Sequence, residues 1–474
     1  MNHSTETINL SNFLRRYWPI VILTTIISIL VPVFYSLENW VLLLGPPLFL
    51  VFLFALLNFK LTLYLLISSM FLGAVLIYQG HINLSSVFLG VLLLSYLAKG
   101  LVSGEISISK TPLDKVILIF MVAIAFSLIN VRYLYVGVWT YLWHVCIFVL
   151  FYVVASSVES SSLKNLFSFL IISAVLYSIP SLIESISSSG AGRALGIGGT
   201  YATNIINICF LFCLSFFFFE ERSKRRILWG IALLILLASC LVHKIRGAVI
   251  GLGLSYVFMS MMVFRKSTNE GLKFVRRNLI ISSVAITIAV ILVFYTLSTL
   301  SEGFVHHLPY SRFPIDTIQI RFILWDLALK FFFQNPVIGI GLGQFSKLST
   351  IGIEPKYQMF YFYISNIGTH NLLLSYLSET GVIGAICFLF FLYSSLRLAW
   401  LKFKLSTTVS DLKLSGALLG GLFYIVITSL YAGAWTTNIL GMMFALILAW
   451  TVIFSPTRQR ENNIRITRLD KVFD

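Results

Sequence analysis

One histidine, His370, has the sequence surroundings expected of a general base. Gly368 and Thr369 precede it and are typical of a turn and a helix N-cap, so His370 is expected at the first position of a helix. The positive end of a helix dipole favours the neutral imidazole, which is the form that can accept a proton. The sequence around residue 370 therefore predicts proton abstraction at this position.

Three arginines are predicted to lie on the same side of the molecule as His370, in loops between hydrophobic segments. They are Arg193, Arg246 and Arg321. An arginine side chain stays charged at any working pH, and its planar fork binds phosphate oxygens in pairs. Three guanidinium groups beside a base predict a site that binds a diphosphate leaving group.

Arg246 belongs to a short basic hairpin, residues 243–248, between two hydrophobic segments. Cationic residues at that depth are rare and usually face a cavity or an anionic ligand, which favours a functional role for Arg246. Lys244 has the alternative of extending towards lipid head groups. Arg193 lies in a strip rich in glycine and serine, where a solvated arginine in a flexible linker is the competing interpretation.

The sequence lacks the residue patterns that metal-dependent chemistry needs. The acidic residues of the outward loops are dispersed, with no Asp-x-Asp motif and no clustered pair to bind Mg²⁺ or Mn²⁺. All five cysteines lie inside hydrophobic segments, without a CxxC or spaced Cys/His pattern. We therefore expect no metal site, no cofactor and no disulfide, so that arginine alone would neutralise phosphate charge.

The elements that must position these residues are membrane helices. Of 474 residues, 58% are hydrophobic and only 11% are charged, and the mean hydropathy is +0.93. Apolar segments long enough to cross a lipid bilayer recur from one end of the chain to the other. The predicted fold is all-α, a polytopic helical bundle with about twelve to fourteen transmembrane helices.

Charge placement predicts the orientation of this bundle. Most of the 34 Lys and Arg residues fall into loops on one side, which is cytoplasmic by the positive-inside rule. Both termini are expected there, whereas His370 and the three arginines are expected on the opposite, outward side. The net charge of +16 is thus a consequence of topology and predicts no binding of nucleic acid.

The chain divides into four predicted regions. They are an N-terminal transmembrane bundle at 1–298, a large outward loop at 299–380, C-terminal transmembrane helices at 381–456 and a basic inward tail at 457–474. The loop carries a predicted amphipathic helix from 319 to 333, in which Trp325 suits the membrane interface. Asn335-Pro336 predicts its end. The alternating glycines of 339–343 could cradle a phosphate, but no strand precedes them and no helix with a lysine follows.

Two stretches of the large loop resemble signatures of the O-antigen ligase and polymerase superfamily. They are Arg321-x3-Trp325-x2-Ala328 with the glycine turn after it, and His370-Asn371-x2-Leu374 with Glu379-x-Gly381-x2-Gly384. The hairpin at Arg246 resembles the family's Ser-Arg-Gly-Ala hairpin, with Ile245 at the hydroxyl position. Arg193 with Gly196 resembles an upstream Arg/Gly motif, although the Pro-Asn that should follow is missing.

This resemblance implies a membrane glycosyltransferase with a periplasmic active site in the bacterial inner membrane. Its donor would be a glycan on undecaprenyl diphosphate, embedded in the lipid bilayer. Its acceptor would be a lipid A–core sugar for a ligase, or the next lipid-linked repeat unit for a polymerase. The transfer would need no metal and would invert the anomeric centre.

The resemblance also assigns roles to residues. The expected catalytic residues are His370, Arg246 and Arg321, and the expected substrate-binding residues are Arg193, Lys244, Trp325 and Asn371. The imidazole would take the proton of the acceptor hydroxyl as that hydroxyl attacks C1. The arginines would stabilise the charge that grows on the diphosphate as the glycosidic bond breaks.

Two other functions stay open on the sequence. An O-linked oligosaccharyltransferase would use the same chemistry on a protein acceptor. A transporter of lipid-linked sugars should carry charged residues along its spans and a symmetric pair of halves. Here the charge concentrates at the outward rim and the large loop has no counterpart, which favours transfer over transport. No residue decides between ligase and polymerase.

Overall fold

The computed structural model describes residues 54–72, 84–103, 108–187, 199–243, 245–269, 272–304, 317–349, 367–432 and 438–456. Within these residues the chain forms helices joined by turns and no strand. The helices are α1 (Phe59–Ser69), α2 (Leu84–Ser103), α3 (Asp114–Phe126), α4 (Leu134–Ser157), α5 (Leu163–Ser187), α6 (Gly199–Phe218), α7 (Ser223–Val242), α8 (Arg246–Asn269), α9 (Lys273–Phe304), α10 (Thr317–Gln334), α11 (Phe345–Leu348), α12 (Leu372–Leu405), α13 (Val409–Ala432) and α14 (Asn438–Ile453).

Seven of the described helices are long and apolar enough to cross a membrane. They are α2, α4, α5, α7, α8, α12 and α13, and the shorter apolar helices α1, α6 and α14 accompany them. The predicted all-α, polytopic helical bundle is thereby confirmed. The expected total of about twelve to fourteen spans includes segments before residue 54, which lie outside the described residues.

The chain forms two compact units. They comprise Met1–Ser107 with Ile197–Ala202, and Ile108–Gly196 with Thr203–Asp474. In the first unit α1 packs on α2, and the Ser85 hydroxyl donates to the Ser69 carbonyl at 3.1 Å. All the residues that carry the predicted chemistry and that the structure describes belong to the second unit.

The part of helix α6 that belongs to the second unit is enclosed within that unit. Every side chain from 205 to 218 is buried, and a helix that is apolar on all sides is stable only when protein surrounds it or lipid replaces water. The Phe212 ring centroid lies 4.7 Å from that of Phe167 in α5, which in turn lies 5.1 Å from that of Trp450 in α14. Both cysteines of α6 are buried in this packing.

Helix α12 is broken at Gly381, where φ is 63° and ψ is −167°. After the break the helix packs against α3 and α13, and its Phe391 ring stacks on Phe120 of α3 with centroids 5.5 Å apart. Before the break, residues 372–380 form a short helical segment that contacts α10 and the loop after it. The break therefore separates the packed membrane helix from the part of α12 that reaches the large loop.

Segments predicted to face inward contact one another at one end of the second unit. The Lys266 ammonium, in the last turn of α8, donates to the Lys404 carbonyl at the end of α12 at 2.9 Å. Lys413 of α13 forms an ion pair with Glu220, which follows α6, at 2.7 Å. These contacts join basic segments that are distant in sequence. The predicted topology places all of these segments on the same side of the membrane, so contacts among them are expected.

Candidate active site

The predicted amphipathic helix of the large loop is confirmed as α10, Thr317–Gln334. Its apolar side is buried at Leu324 and packs against Ile340 of the following loop and Leu374 of α12. The helix ends before Asn335-Pro336 because proline lacks an N–H and disfavours helical geometry in the residue before it. The apolar side of α10 thus packs this helix against α12. The position of α10 at the membrane interface stays a prediction.

Arg321 and Trp325 lie one turn apart, so they share a face of α10. The Trp325 indole N–H donates to the Thr369 carbonyl at 3.1 Å, directly beside His370. Arg321 is half-buried, and no carboxylate in the described part of the chain forms an ion pair with it. The structure therefore brings the predicted base and one predicted phosphate-binding cation onto adjacent elements.

His370 occupies a tight turn rather than the first position of a helix. Its φ is 52°, in the left-handed region that few residues other than glycine adopt. Helix α12 begins at Leu372 and its N-cap is Asn371, whose Oδ1 accepts from the Leu374 N–H at 3.1 Å. The prediction of Thr369 as the N-cap is therefore wrong. The Thr369 hydroxyl instead donates to the Asn371 carbonyl at 2.6 Å and closes the turn that contains His370.

The glycine turn after α10 uses its N–H groups to bind Glu379. The N–H groups of Gly343 and Phe345 each donate to one carboxylate oxygen of Glu379, both at 3.0 Å. The Gly341 N–H donates to the Glu379 backbone carbonyl at 2.9 Å. Because these donors are occupied, the alternating glycines act as an internal binding loop, and the phosphate-cradling interpretation of their pattern fails at these N–H groups.

Backbone contacts continue on both sides of the break in α12. The Ile340 N–H donates to the Ser378 carbonyl at 2.9 Å before the break, and the Val382 N–H donates to the Pro336 carbonyl at 2.8 Å after it. At Gly339, where φ is 74°, a Cβ atom would collide with the α12 backbone. We call these contacts between α12 and the loop after α10, together with those of the Glu379 carboxylate, the Glu379 clasp.

The turn between α3 and α4 also binds the Glu379 clasp. The Asn130 side-chain amide donates to the Gly339 carbonyl at 2.8 Å. The Gln344 side chain accepts from the Tyr133 N–H at 2.8 Å and donates to the Tyr133 carbonyl at 3.2 Å. The sequence does not reveal these residues, because partners separated by 209 or 211 positions leave no local pattern.

Arg246 begins helix α8, immediately after the tight turn that follows α7. Helices α8 and α12 both pack against α13, so the helices that follow Arg246 and His370 share a neighbour. His243, in the same hairpin, is buried, and burial lowers its pKa to about 4, so it is neutral at neutral pH. Lys244 and Arg193 lie outside the described residues, and their roles stay predictions.

A second buried histidine connects α4 to α12. His144 Nδ1 lies 2.7 Å from the Thr140 carbonyl, so this nitrogen carries the proton and donates it. Its Nε2, 2.8 Å from the Tyr376 hydroxyl, then accepts from that hydroxyl. In the described parts of the chain, no three His, Cys, Asp or Glu side chains are grouped so that they could bind a metal ion.

These helices and contacts define a multi-pass, all-α membrane protein in which a loop helix carries an arginine and the adjacent turn, before a broken membrane helix, carries a histidine. Residues 231–389 match the family model described as O-antigen ligase, a segment that includes Arg246, Arg321, His370 and Glu379 but not Arg193. The predicted resemblance to the O-antigen ligase and polymerase superfamily is confirmed by this match. No curated protein matches the chain. Over that segment, about a third of the chain, the protein is similar to O-antigen ligases.

Proposed function

We propose that the protein transfers a glycan from undecaprenyl diphosphate to a sugar hydroxyl at the periplasmic face of the bacterial inner membrane. The observation that supports this most directly is the Trp325–Thr369 hydrogen bond, which joins the helix that carries Arg321 to the turn that contains His370. A cation for the leaving group and a base for the acceptor are the two groups that such a transfer needs.

The proposed reaction is a single in-line displacement. The acceptor hydroxyl gives its proton to the His370 imidazole while its oxygen forms a bond to C1 of the donor sugar. The bond between C1 and the diphosphate oxygen breaks, and its electron pair leaves on the diphosphate. Arg321 and Arg246 stabilise that charge, with Arg193 and Lys244 as further contacts to the diphosphate. The anomeric configuration is inverted, and no metal ion takes part.

Asn371 and Trp325 keep groups that could still contact the sugars. The Asn371 Oδ1 is used as the N-cap of α12, which leaves its amide N–H groups as donors. The Trp325 N–H is used by Thr369, which leaves the indole ring as a surface on which a sugar can stack. We therefore propose that the Asn371 amide donates to a sugar of the glycan and that the Trp325 ring stacks on one.

Transfer by the purified protein in lipid nanodiscs tests the proposal. With a lipid-linked glycan donor, His370→Ala and Arg321→Ala should each lower turnover by about a hundredfold or more, whereas EDTA should leave it unchanged. Lys330→Ala is the matched control, because Lys330 is another cation of α10 that pairs on the surface with Asp326. Full activity of folded His370→Ala, or loss of activity in EDTA, would contradict the mechanism.

A deletion strain separates the two acceptors that the proposal allows. Loss of a polymerase leaves single repeat units on the lipid A–core, whereas loss of a ligase leaves long chains on the lipid carrier and none on the lipid A–core. An unchanged surface polysaccharide would contradict both.

A further inference from the structure

The hairpin between α7 and α8 is anchored by a buried imidazole. His243 closes α7, is fully buried, and lies three residues before Arg246. Its Nδ1 lies 2.8 Å from the Thr203 hydroxyl of α6, and its Nε2 lies 3.1 Å from the Ser181 hydroxyl of α5. The Ser239 hydroxyl of α7 lies 3.5 Å from the same Nε2. One side chain thus connects three helices just before Arg246.

These partners suit a neutral ring. A hydroxyl group can both donate and accept, so Thr203 on one nitrogen and Ser181 on the other satisfy either neutral tautomer. All three hydrogen bonds of the His243 ring are buried. A buried polar group that lost its hydrogen-bond partner would destabilise the fold by more than a normal hydrogen bond stabilises it. The contacts of His243 therefore suit an imidazole that holds the turn in place. Its partners are serine and threonine hydroxyls, and none of them is an acid or a base that would exchange a proton with the ring at neutral pH.

The other side of Arg246 is also anchored to α6. The Asn207 side-chain amide lies 3.4 Å from the Ala248 carbonyl, two residues after Arg246, and it donates to the Tyr424 hydroxyl of α13 at 2.8 Å. That hydroxyl in turn donates to Asn204 of α6 at 2.9 Å. The backbone on both sides of Arg246 is therefore held by side-chain hydrogen bonds to α6, whose residues 205–218 are buried.

We propose that His243 is a positioning residue for Arg246, setting the start of α8 so that the guanidinium meets the diphosphate of the lipid donor. This inference rests on the proposed function, because it needs Arg246 to bind that diphosphate. His243 contacts neither donor nor acceptor in this account, and it acts only through the turn that it anchors to α5 and α6.

Binding of undecaprenyl diphosphate to the full chain in lipid nanodiscs tests this inference. Four proteins are compared: the parent chain, His243→Ala, Arg246→Ala and the double variant. His243→Ala should raise the Kd about tenfold, the effect expected from losing a buried hydrogen-bond anchor. The double variant should bind no more weakly than Arg246→Ala, because the anchor has no effect once the guanidinium is absent.

Conservative variants distinguish positioning from general stability. His243→Gln, whose amide can donate and accept, should recover most of the affinity, and Thr203→Val should raise the Kd about threefold while keeping the side-chain shape. Thr203→Val also carries the test if His243→Ala does not fold. Additive effects in the double variant, or unchanged Kd in folded His243→Ala and Thr203→Val, would overturn the inference. An unchanged Kd in Arg246→Ala would instead overturn the proposed function.

Discussion

At the scale of single residues, the proposed chemistry depends on a histidine whose backbone is fixed on both sides. The Trp325 indole binds the carbonyl of Thr369, and the Thr369 hydroxyl binds the carbonyl of Asn371, so the left-handed turn of His370 is determined by its neighbours. The sequence identifies His370 and Arg321 by residue type and motif. It cannot choose between Thr369 and Asn371 as N-cap, because both residue types cap helices well and only the competing hydrogen bonds decide.

Removing the indole N–H should slow transfer while preserving the fold. Trp325→Phe keeps an aromatic ring on α10 but leaves the Thr369 carbonyl without this donor, so the His370 turn loosens and kcat should fall about tenfold. Phe333→Leu, at an exposed position of the same helix whose ring contacts Phe332, is the control and should leave kcat unchanged. If Trp325 acts only by stacking on a sugar, Trp325→Phe will retain its kcat, and the positioning role will be excluded.

At the scale of elements, the Glu379 clasp joins α10, α12 and the turn between α3 and α4. The alternating glycines that form it resemble a glycine-rich phosphate-binding loop, so the pattern by itself does not identify what the loop binds. The partner, Glu379, lies 36 residues after Gly343, and the sequence gives no sign that the two meet. The amphipathic period of α10, by contrast, is local and correctly predicts which side is buried.

Gly339 should be among the least replaceable residues of the clasp. Gly339→Ala places a Cβ against the α12 backbone at a positive φ, so the free energy of unfolding should fall by more than about 2 kcal/mol. Gly253→Ala is the matched control: a Cβ there meets no atom within 4 Å inside α8, and alanine should stabilise the helix by about 0.5–1 kcal/mol. Thermal unfolding in detergent measures both. Equal melting temperatures for the two variants would contradict the clasp.

At the scale of the whole molecule, most of the architecture is predicted by the length of the apolar segments and by the placement of Lys and Arg between them. The all-α membrane architecture follows from recurrent apolar segments, and the contact between Lys266 and Lys404 joins two segments that charge placement assigns to one side. The enclosure of α6 does not follow from sequence. Its residues are as apolar as those of a lipid-facing helix, because lipid and protein interior favour the same side chains.

The two ends of the bundle should be accessible from opposite sides of the membrane. A cysteine at Gln334, exposed at the end of α10, should react with a membrane-impermeant thiol reagent added to the periplasmic side. A cysteine at Thr407, exposed in the turn between α12 and α13, should react only after the membrane is opened. The unaltered chain is the control for its own five cysteines. Labelling of Thr407→Cys alone in intact cells would reverse the predicted orientation.

The position of a bound donor tests the central claim most directly. His370→Ala should still bind a lipid-linked diphosphate glycan without turning it over, so an electron cryomicroscopy map of that complex would show the donor before transfer. We predict that the diphosphate lies within hydrogen-bond distance of the Arg246 and Arg321 guanidinium groups, with C1 of the first sugar facing the turn at residue 370. A diphosphate bound elsewhere, or a C1 that points away from residue 370, would contradict the account.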